Sequence, residues 1–143
     1  MMNKSLLIFV LAFCIAPTFA GIVVHTRCGG VGSCRTVRCD NCEGPLCYVT
    51  PGMPKSCSVD MIPSSAASYL RLRLTAVYLG YAIDIINTIL EGSSVQPGFL
   101  YTIAYAITPN DLMSGNTIRL EAELSNYEND LVECCVAIQV HIY

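Results

Sequence analysis

Apolar and polar residues alternate with a period of two along several long segments of this 143-residue chain. The alternation is clearest in 117–124 (TIRLEAEL) and recurs in 69–78, 98–108 and 131–142. Successive side chains of a β-strand point to opposite faces of a sheet, so this period is typical of strands with one buried face. The pattern therefore predicts an all-β protein. The polar positions of the last segment, predicted to face outward, are Glu133, Gln139 and His141.

Further strands and the turns between them define the architecture. Strands are also predicted at 21–26, 56–63 and 82–90. Turn-forming residues separate the later strands at 91–98, 108–116 and 125–130. Seven or eight strands with regular turns in about 120 residues predict a two-sheet antiparallel, immunoglobulin-like β-sandwich. An up-and-down barrel is the alternative architecture.

Residues 1–20 have the features of a secretory signal peptide. Lys4 precedes a short apolar run, and the small residues Thr18 and Ala20 occupy the positions that a signal peptidase reads. The apolar run is shorter than the roughly 20 residues that span a bilayer, which disfavours a membrane anchor. We therefore predict cleavage after Ala20, leaving 21–143 as a single secreted domain.

The cysteine content predicts a disulfide framework. Nine cysteines are present, and Cys14 leaves with the signal peptide. The eight that remain are Cys28, Cys34, Cys39, Cys42, Cys47, Cys57, Cys134 and Cys135. An even number in an oxidising compartment favours disulfides over metal thiolates. Cys39 and Cys42 have a spacing that suits zinc, but a tetrahedral site needs a second such pair, so no metal site is predicted. A bridge from Cys28 to Cys134 or Cys135 would contribute roughly 4–5 kcal/mol through loop closure.

Charge and motif content argue against nucleic-acid binding and catalysis. Loss of Lys4 moves the formal net charge from −3 to −4, without the clustered basic surface of a nucleic-acid binder. His25 and His141 lie near opposite ends of the chain, and no G-x-S-x-G motif occurs. The segment 28–32 (CGGVG) lacks the Gly-Lys-Ser/Thr of a phosphate loop. Asp84 is predicted to be an outward strand residue. We expect neither an enzyme nor a cofactor.

Several short motifs, in their order along the chain, resemble the ML (lipid-recognition) domain family, which contains a cholesterol carrier and mite allergens. Residues 27–30 (RCGG) resemble the family's opening motif, although arginine replaces its acidic residue. The segment 37–54 resembles the family's cysteine and proline motif, and 74–85 and 95–107 are similar to internal strands. The segment 131–142 resembles the closing strand. The resemblance implies a disulfide-stapled β-sandwich with an apolar cavity between its sheets.

The resemblance also implies part of the disulfide pattern. It assigns a short-loop disulfide to Cys39 and Cys47, and it pairs Cys28 with Cys134 or Cys135 of the closing strand. The family's middle disulfide has no counterpart in this sequence. The cysteines outside the family pattern, expected to pair among themselves, are Cys34, Cys42, Cys57 and whichever of Cys134 and Cys135 remains.

The function implied by the resemblance is lipid transport. The predicted inner-face residues that would line the cavity are Leu72, Leu74, Tyr78, Ile83, Ile85, Phe99, Tyr101, Ile103, Tyr105, Leu120, Leu124, Val136 and Ile138. Burying on the order of 400 Å² of lipid surface would contribute roughly 10 kcal/mol before association costs. Tyrosine hydroxyls among these residues would meet a sterol or head-group oxygen.

We therefore expect a non-enzymatic carrier of a sterol, fatty acid or related lipid. It would act in the extracellular space or the endolysosomal lumen, with transient contact to a membrane or receptor. The alternative is a disulfide-rich recognition or adhesion domain with a filled core, because period-two alternation is the same for a hollow and a filled sandwich.

Overall fold

The computed structural model describes residues 20–143, which form ten β-strands and one 3₁₀ turn. Apart from Ala20, the predicted signal peptide lies outside the described residues. The strands are β1 (Ala20–Val23), β2 (Thr26–Gly29), β3 (Ser33–Asp40), β4 (Cys47–Val49), β5 (Lys55–Ile62), β6 (Leu70–Tyr78), β7 (Tyr81–Leu90), β8 (Tyr101–Ile107), β9 (Thr117–Asn126) and β10 (Val132–Ile142). The 3₁₀ turn covers Asp111–Met113, between β8 and β9.

The strands form two separate sheets. The smaller sheet has the order β1-β3-β5-β8, and the larger has the order β2-β10-β9-β6-β7. The short strand β4 also joins the larger sheet, where it pairs in parallel with the end of β10. Every other pairing is antiparallel. The predicted all-β, two-sheet architecture is confirmed. Because no described strand pairs across the two sheets, the barrel alternative is wrong.

The strands predicted from alternation are all present, and the differences lie near the N-terminus. The segment 21–26 contributes to two strands, β1 and β2, which belong to different sheets. The strands β3 and β4 were not predicted, and together with the division of 21–26 they raise the number of strands to ten. In β3 a β-bulge between Cys34 and Val37 interrupts the period of two. This irregularity removes the periodic signal by which a strand is recognised.

The core lies between the two sheets. Leu72 and Leu74 of β6 and Leu120 and Leu124 of β9 are buried, as their alternation predicts. Because β6 and β9 pair directly, Leu72 lies opposite Leu124, whereas Leu74 and Leu120 lie opposite alanines. The buried faces of β3 and β5 cover these leucines from the smaller sheet. Apolar burial of this kind is the main favourable contribution to folding.

The buried carboxylate of Asp60 joins three strands on the outer face of the smaller sheet. Asp60 on β5 accepts a hydrogen bond from Arg38 on β3 at 2.8 Å and another from Thr102 on β8 at 2.7 Å. Burial raises the pKa of Asp60, but the hydrogen bonds from Arg38 and Thr102, with the charge of Arg38, outweigh it and leave this pKa lowered. The stabilisation is therefore complete above the unfolded-state pKa of about 3.9 and is lost as pH falls through the folded-state value.

The prediction that Glu133 of β10 faces solvent is wrong, because only 1% of this residue is exposed. Its carboxylate accepts hydrogen bonds from the Ser64 backbone N–H at 2.7 Å and the Ser64 hydroxyl at 2.9 Å. The Ser65 hydroxyl donates a third at 2.8 Å. The loop that follows β5 thus covers a charge that strand alternation placed in solvent. Buried charges are retained where hydrogen bonds satisfy them, as here.

The glycines of the segment 28–32 are explained by the same region. A Cβ on Gly30, whose φ is +102°, would lie 2.6 Å from the backbone oxygen of Glu133. A Cβ on Gly32 would lie 2.7 Å from the backbone oxygen of Ile62 and 2.8 Å from the Glu133 carboxylate. The Gly32 N–H also donates to the Glu133 backbone oxygen at 2.9 Å. The glycines therefore permit close approach to β10.

We expect Glu133→Gln to lower the free energy of unfolding by about 2–3 kcal/mol. Hydrogen bonds to charged groups contribute about 1.5–3 kcal/mol each, and an amide cannot accept all three with the same strength. Urea unfolding followed by circular dichroism measures the loss. Glu128→Gln, at an exposed position, should change stability by less than about 0.5 kcal/mol. Equal effects of the two substitutions would contradict the assigned role of Glu133.

Candidate functional site

The eight cysteines singled out from the sequence form four disulfides. The pairs are Cys28–Cys135, Cys34–Cys134, Cys39–Cys57 and Cys42–Cys47. The adjacent residues Cys134 and Cys135 point to opposite faces of β10, as strand geometry requires. Cys135 bonds to β2 within the larger sheet, whereas Cys134 crosses the core to β3 of the smaller sheet. Adjacent cysteines thus link β10 to both sheets.

The predicted disulfide between Cys39 and Cys47 is wrong. Cys39 lies directly opposite Cys57 in the antiparallel register of β3 and β5, with 4.1 Å between their Cα atoms. Cys42 follows β3 in a turn and bonds instead to Cys47 at the start of β4. The expected pairing among the cysteines outside the family pattern therefore holds for Cys34 with Cys134 and fails for Cys42 and Cys57. Cys39 and Cys42, whose spacing suits zinc, therefore form disulfides with different partners.

The disulfides are all on one side of the sandwich. They involve β2, β3, β4, β5 and β10 and the turn before β4. Among the described residues, β6, β7, β8 and β9 carry no disulfide. The last strands of the two sheets on the other side, β7 and β8, are therefore free of covalent links to each other. Disulfides therefore cross-link the sandwich along one side, and no described disulfide joins the strands of the other side.

An apolar cavity of about 170 Å³ lies between the sheets at the end where β6 and β10 finish. The larger sheet supplies Ala76 from β6, Ile83 and Ile85 from β7, Leu120 from β9 and Ile142 from β10. These strands bring the side chains together because β10, β9, β6 and β7 are consecutive neighbours in the sheet. The walls are therefore mainly hydrocarbon.

A β-bulge shapes the part of this wall that β7 provides. Leu74 of β6 is opposite Ile86, but the next residue of β6 is opposite Asp84, so Ile85 is left without a partner. The extra residue places apolar side chains at 83, 85 and 86 on the cavity side of the strand. Asp84 points the other way and bonds to Arg73 at 3.1 Å, which agrees with its predicted outward position.

The rim of the cavity is the connection between β8 and β9. It contains the 3₁₀ turn Asp111–Met113, capped by Asn110, whose side chain accepts a hydrogen bond from the Leu112 N–H at 3.1 Å. Leu112 is 79% exposed, whereas Met113 packs against the core. Thr108 and Asn110 are the polar residues of the lining, and no described ionisable side chain takes part in it. The site can hold an apolar group but offers no partner to a buried charge.

The thirteen residues predicted to line the cavity occupy three different environments. Ile83, Ile85 and Leu120 line it. The residues of the set that lie in the filled core, buried or packed against it, are Leu72, Leu74, Tyr78, Tyr101, Ile103, Tyr105, Leu124, Val136 and Ile138. Phe99 is a correction, because it precedes β8 and is 64% exposed. The chain turns at Gly98, whose φ is +83° and whose N–H donates to Pro63, so the strand begins only at Tyr101.

Sequence reasoning missed most of the cavity wall. Ile107, Ile118, Val140 and Ile142 continue the inner-face alternation of β8, β9 and β10, so extending that pattern to the strand ends would have found them. The rim between β8 and β9 has no such signal, because loop residues have no fixed face. Val49 could not be found either, since its place depends on the parallel pairing of β4 with β10.

Tyr105 is a buried phenol on the inner face of β8, and burial raises its pKa to about 12. An unfolded tyrosine ionises near pH 10, so the folded state is stabilised fully below that pH and loses this contribution as pH rises towards 12. We expect an absorbance titration at alkaline pH to include the late ionisation of Tyr105. Tyr105→Phe should remove this step, whereas Tyr81→Phe, at a 76% exposed position, should leave it. Ionisation of every tyrosine near pH 10 would contradict the burial of Tyr105.

Within residues 20–143, no helix is long and apolar enough to cross a membrane. In the same part of the chain, no group of three or more histidine, cysteine, aspartate or glutamate side chains is placed to hold a metal ion. The cavity described above, with mainly hydrocarbon walls and a few polar groups, has the character of a small-molecule site.

At the level of sequence, neither a protein-family model nor a curated protein matches this chain. The fold does match solved structures. A Niemann-Pick type C2 protein from the Japanese carpenter ant superposes with a TM-score of 0.70 and 15% identity, over 84% of this chain and 99% of that one. Chicken MD-1, solved in complex with lipid IVa, superposes with a TM-score of 0.53 and 11% identity, over 86% of this chain and 96% of that one.

The Niemann-Pick type C2 protein and MD-1 are both ML-domain proteins. The chain therefore has the β-sandwich fold of the ML domain, and the resemblance found in its sequence motifs is confirmed at the level of the fold. At 15% and 11% identity, the likeness concerns the fold and not the ligand.

Proposed function

We propose that this protein is a secreted, non-enzymatic carrier that holds the apolar part of a lipid between its two sheets. The observation that carries the proposal is the uncharged, apolar cavity at one end of the sandwich. Its support from outside the chain is the shared fold with chicken MD-1, which was solved with lipid IVa bound. Apolar cavities with a few polar groups at the rim are typical of small-molecule sites.

The volume of the cavity bears on how a lipid would enter. At about 170 Å³ the cavity is close to the roughly 150 Å³ that accommodates benzene in an engineered core. Sites for larger ligands have roughly 300–1,000 Å³. A lipid tail must therefore displace part of the wall. We place this displacement in β7 and in the connection between β8 and β9, which line the cavity and carry no described disulfide.

The orientation of the ligand follows from the distribution of polar groups. The interior walls are hydrocarbon, and Thr108 and Asn110 lie at the rim. A buried carboxylate or ammonium would have no partner inside, which costs several kcal/mol. The tail of a sterol, fatty acid or related lipid would therefore point inward, with its polar end at the rim in contact with water.

The location and partners form part of the same proposal. Four disulfides in a chain of this size are typical of oxidising compartments, so we place the protein in the extracellular space or the endolysosomal lumen. Delivery of the lipid would involve transient contact with a membrane or a receptor. Nucleic acid is not an expected partner of a chain with a formal net charge of −3 and a pI near 5.2.

The test is direct identification of a bound lipid. Protein purified from a secreting host is extracted with organic solvent, and the extract is analysed by mass spectrometry. In parallel, the neutral fluorescent probe N-phenyl-1-naphthylamine is titrated into the delipidated protein and displaced with a sterol or a fatty acid. We expect recovered lipid and micromolar or tighter probe binding. Absence of both would favour the alternative, a recognition or adhesion domain with a filled core.

A further inference from the structure

The outer edge of β7 is not paired with any described strand. β7 is the last strand of the larger sheet, and its only partner there is β6. None of its ten residues is fully buried. Natural edge strands are ordinarily protected from pairing with other chains by lysines, prolines, short length or a bulge. β7 is long, has no lysine, arginine or proline, and carries one charged residue, Asp84.

β7 has two protective features, Asp84 and the bulge at Ile85, but neither of them protects 86–90. Asp84 is engaged on the outer face of its own sheet by Arg73 and Thr75, each at 3.1 Å. The bulge at Ile85 disrupts the middle of the strand. Beyond the bulge, 86–90 (INTIL) is regular and pairs residue by residue with 70–74 of β6. This half presents a straight edge of unpaired backbone groups.

We propose that 86–90 pairs in antiparallel fashion with the same segment of a second copy of this chain, about a two-fold axis centred on Thr88. Two-fold symmetry makes such an interface self-complementary. Thr88 then faces Thr88 of the other copy, and Ile86 faces Leu90. Threonine pairs and apolar pairs directly across an antiparallel ladder are favourable. The pairing would join the larger sheets of two molecules into one continuous sheet.

Charge and the bulge disfavour registers centred on the first half of β7. With the axis at Thr88, Asp84 lies opposite Gly92 of the second copy, beyond the end of β7. An axis at Asp84 would place the two aspartates directly opposite each other, which destabilises a strand pair. An axis at Ile85 would place both bulges in the interface, where the ladder is disrupted. The axis at Thr88 avoids both problems.

The free edge of β8, in the smaller sheet, is a weaker candidate for pairing with a second copy. β8 has seven residues, and its inner-face side chains Tyr105 and Ile107 are buried. Its exposed positions carry threonine and alanine, whereas β7 exposes Ile89 at 40%.

The proposed pairing of 86–90 involves only five residues of each copy. It buries less than the roughly 1,200 Å² of stable interfaces, so the dimer is weak and concentration-dependent.

Single cysteines placed on the edge test the register. Residues opposite each other in an antiparallel pair have Cα atoms about 4.5–5.5 Å apart, within the range of a disulfide. Under mild oxidation, Thr88→Cys should give a covalent dimer by itself. Asn87→Cys and Ile89→Cys should each dimerise poorly alone but link efficiently when mixed, because 87 faces 89 in this register. Ala104→Cys, an exposed position on β8, is the control and should remain monomeric.

Sedimentation equilibrium of the unmodified protein tests the association itself. The average mass should rise towards twice that of the monomer between about 10 and 500 μM, and Ile89→Lys should keep the protein monomeric by charging the edge. All of these positions are exposed, so the variants are expected to fold, as circular dichroism will verify. A constant monomer mass, no dimer from Thr88→Cys, or equal dimer from Ala104→Cys would overturn the proposal. None of these outcomes depends on whether the cavity binds a lipid.

Discussion

Removing both disulfides of β10 is expected to unfold the protein, whereas removing either one alone is not. Cys28–Cys135 and Cys34–Cys134 close loops with sequence separations of 107 and 100 residues. A long loop of this kind contributes about 4.7 kcal/mol in the chain-entropy model. Once one bridge is formed, however, the second closes only the short ring through 28–34 and 134–135, which contributes about 2.5 kcal/mol. Each single loss should therefore cost about 2.5 kcal/mol, and the double loss about 7 kcal/mol.

Guanidinium unfolding followed by far-ultraviolet circular dichroism measures these differences. A loss of about 7 kcal/mol is comparable to the whole stability of a domain, which is about 5–15 kcal/mol. The matched control is the Cys42–Cys47 bridge, with a sequence separation of 5, whose removal should cost about 2 kcal/mol and add independently to either single loss. The alanine variants are Cys28→Ala/Cys135→Ala, Cys34→Ala/Cys134→Ala, their combination, and Cys42→Ala/Cys47→Ala. A combined loss equal to the sum of the two single losses would refute the shared-loop explanation.

Ile83→Asp is expected to weaken binding of the neutral probe at least tenfold, which corresponds to about 1.4 kcal/mol. The substitution places a carboxylate in a cavity wall that contains no ionisable partner. An unpaired charge that loses water on ligand binding opposes that binding. Ile83 is 50% exposed in the free protein, so the folded state should tolerate the change.

Ala82→Asp is the matched control for this experiment. It introduces the same charge one residue away on the same exposed strand, but its side chain lies on the outer face, opposite Val77 of β6. Probe affinity should stay within about twofold of the unmodified protein. Similar losses from the two substitutions would mean that the probe binds somewhere other than this cavity, or that net charge alone controls binding.

The parts of the fold that were predictable are those where one face of a strand meets the core. In β9 every second residue from Ile118 to Leu124 is buried, so the alternation of apolar and polar residues predicts the buried positions directly. The bulge in β3 hides that pattern in a strand of eight residues. Pairing of Cys39 with Cys57 depends on which strand lies beside β3, which no local pattern specifies. Glu133 was misplaced for the same reason, because its partners come from a distant loop.

The candidate site was harder to predict than the fold. Leu74 and Ala76 are both inner-face residues of β6, yet Leu74 lies in the filled core and Ala76 lines the cavity. Their alternation is identical, so period alone cannot distinguish the two environments. The cavity exists where a small side chain meets the ends of the strands and a loop replaces the opposing sheet. That loop, between β8 and β9, has no periodic signal of its own.

The adjacent cysteines of β10 have a consequence for oxidative folding. A slip of β10 by one residue would turn Val136, Ile138 and Val140 outward and bring Gln139 and His141 inward. The same slip would exchange the faces of Cys134 and Cys135, directing each thiol away from its partner. Only the native alignment allows both bridges to close, so oxidation selects chains whose last strand has been placed correctly and then makes that placement permanent.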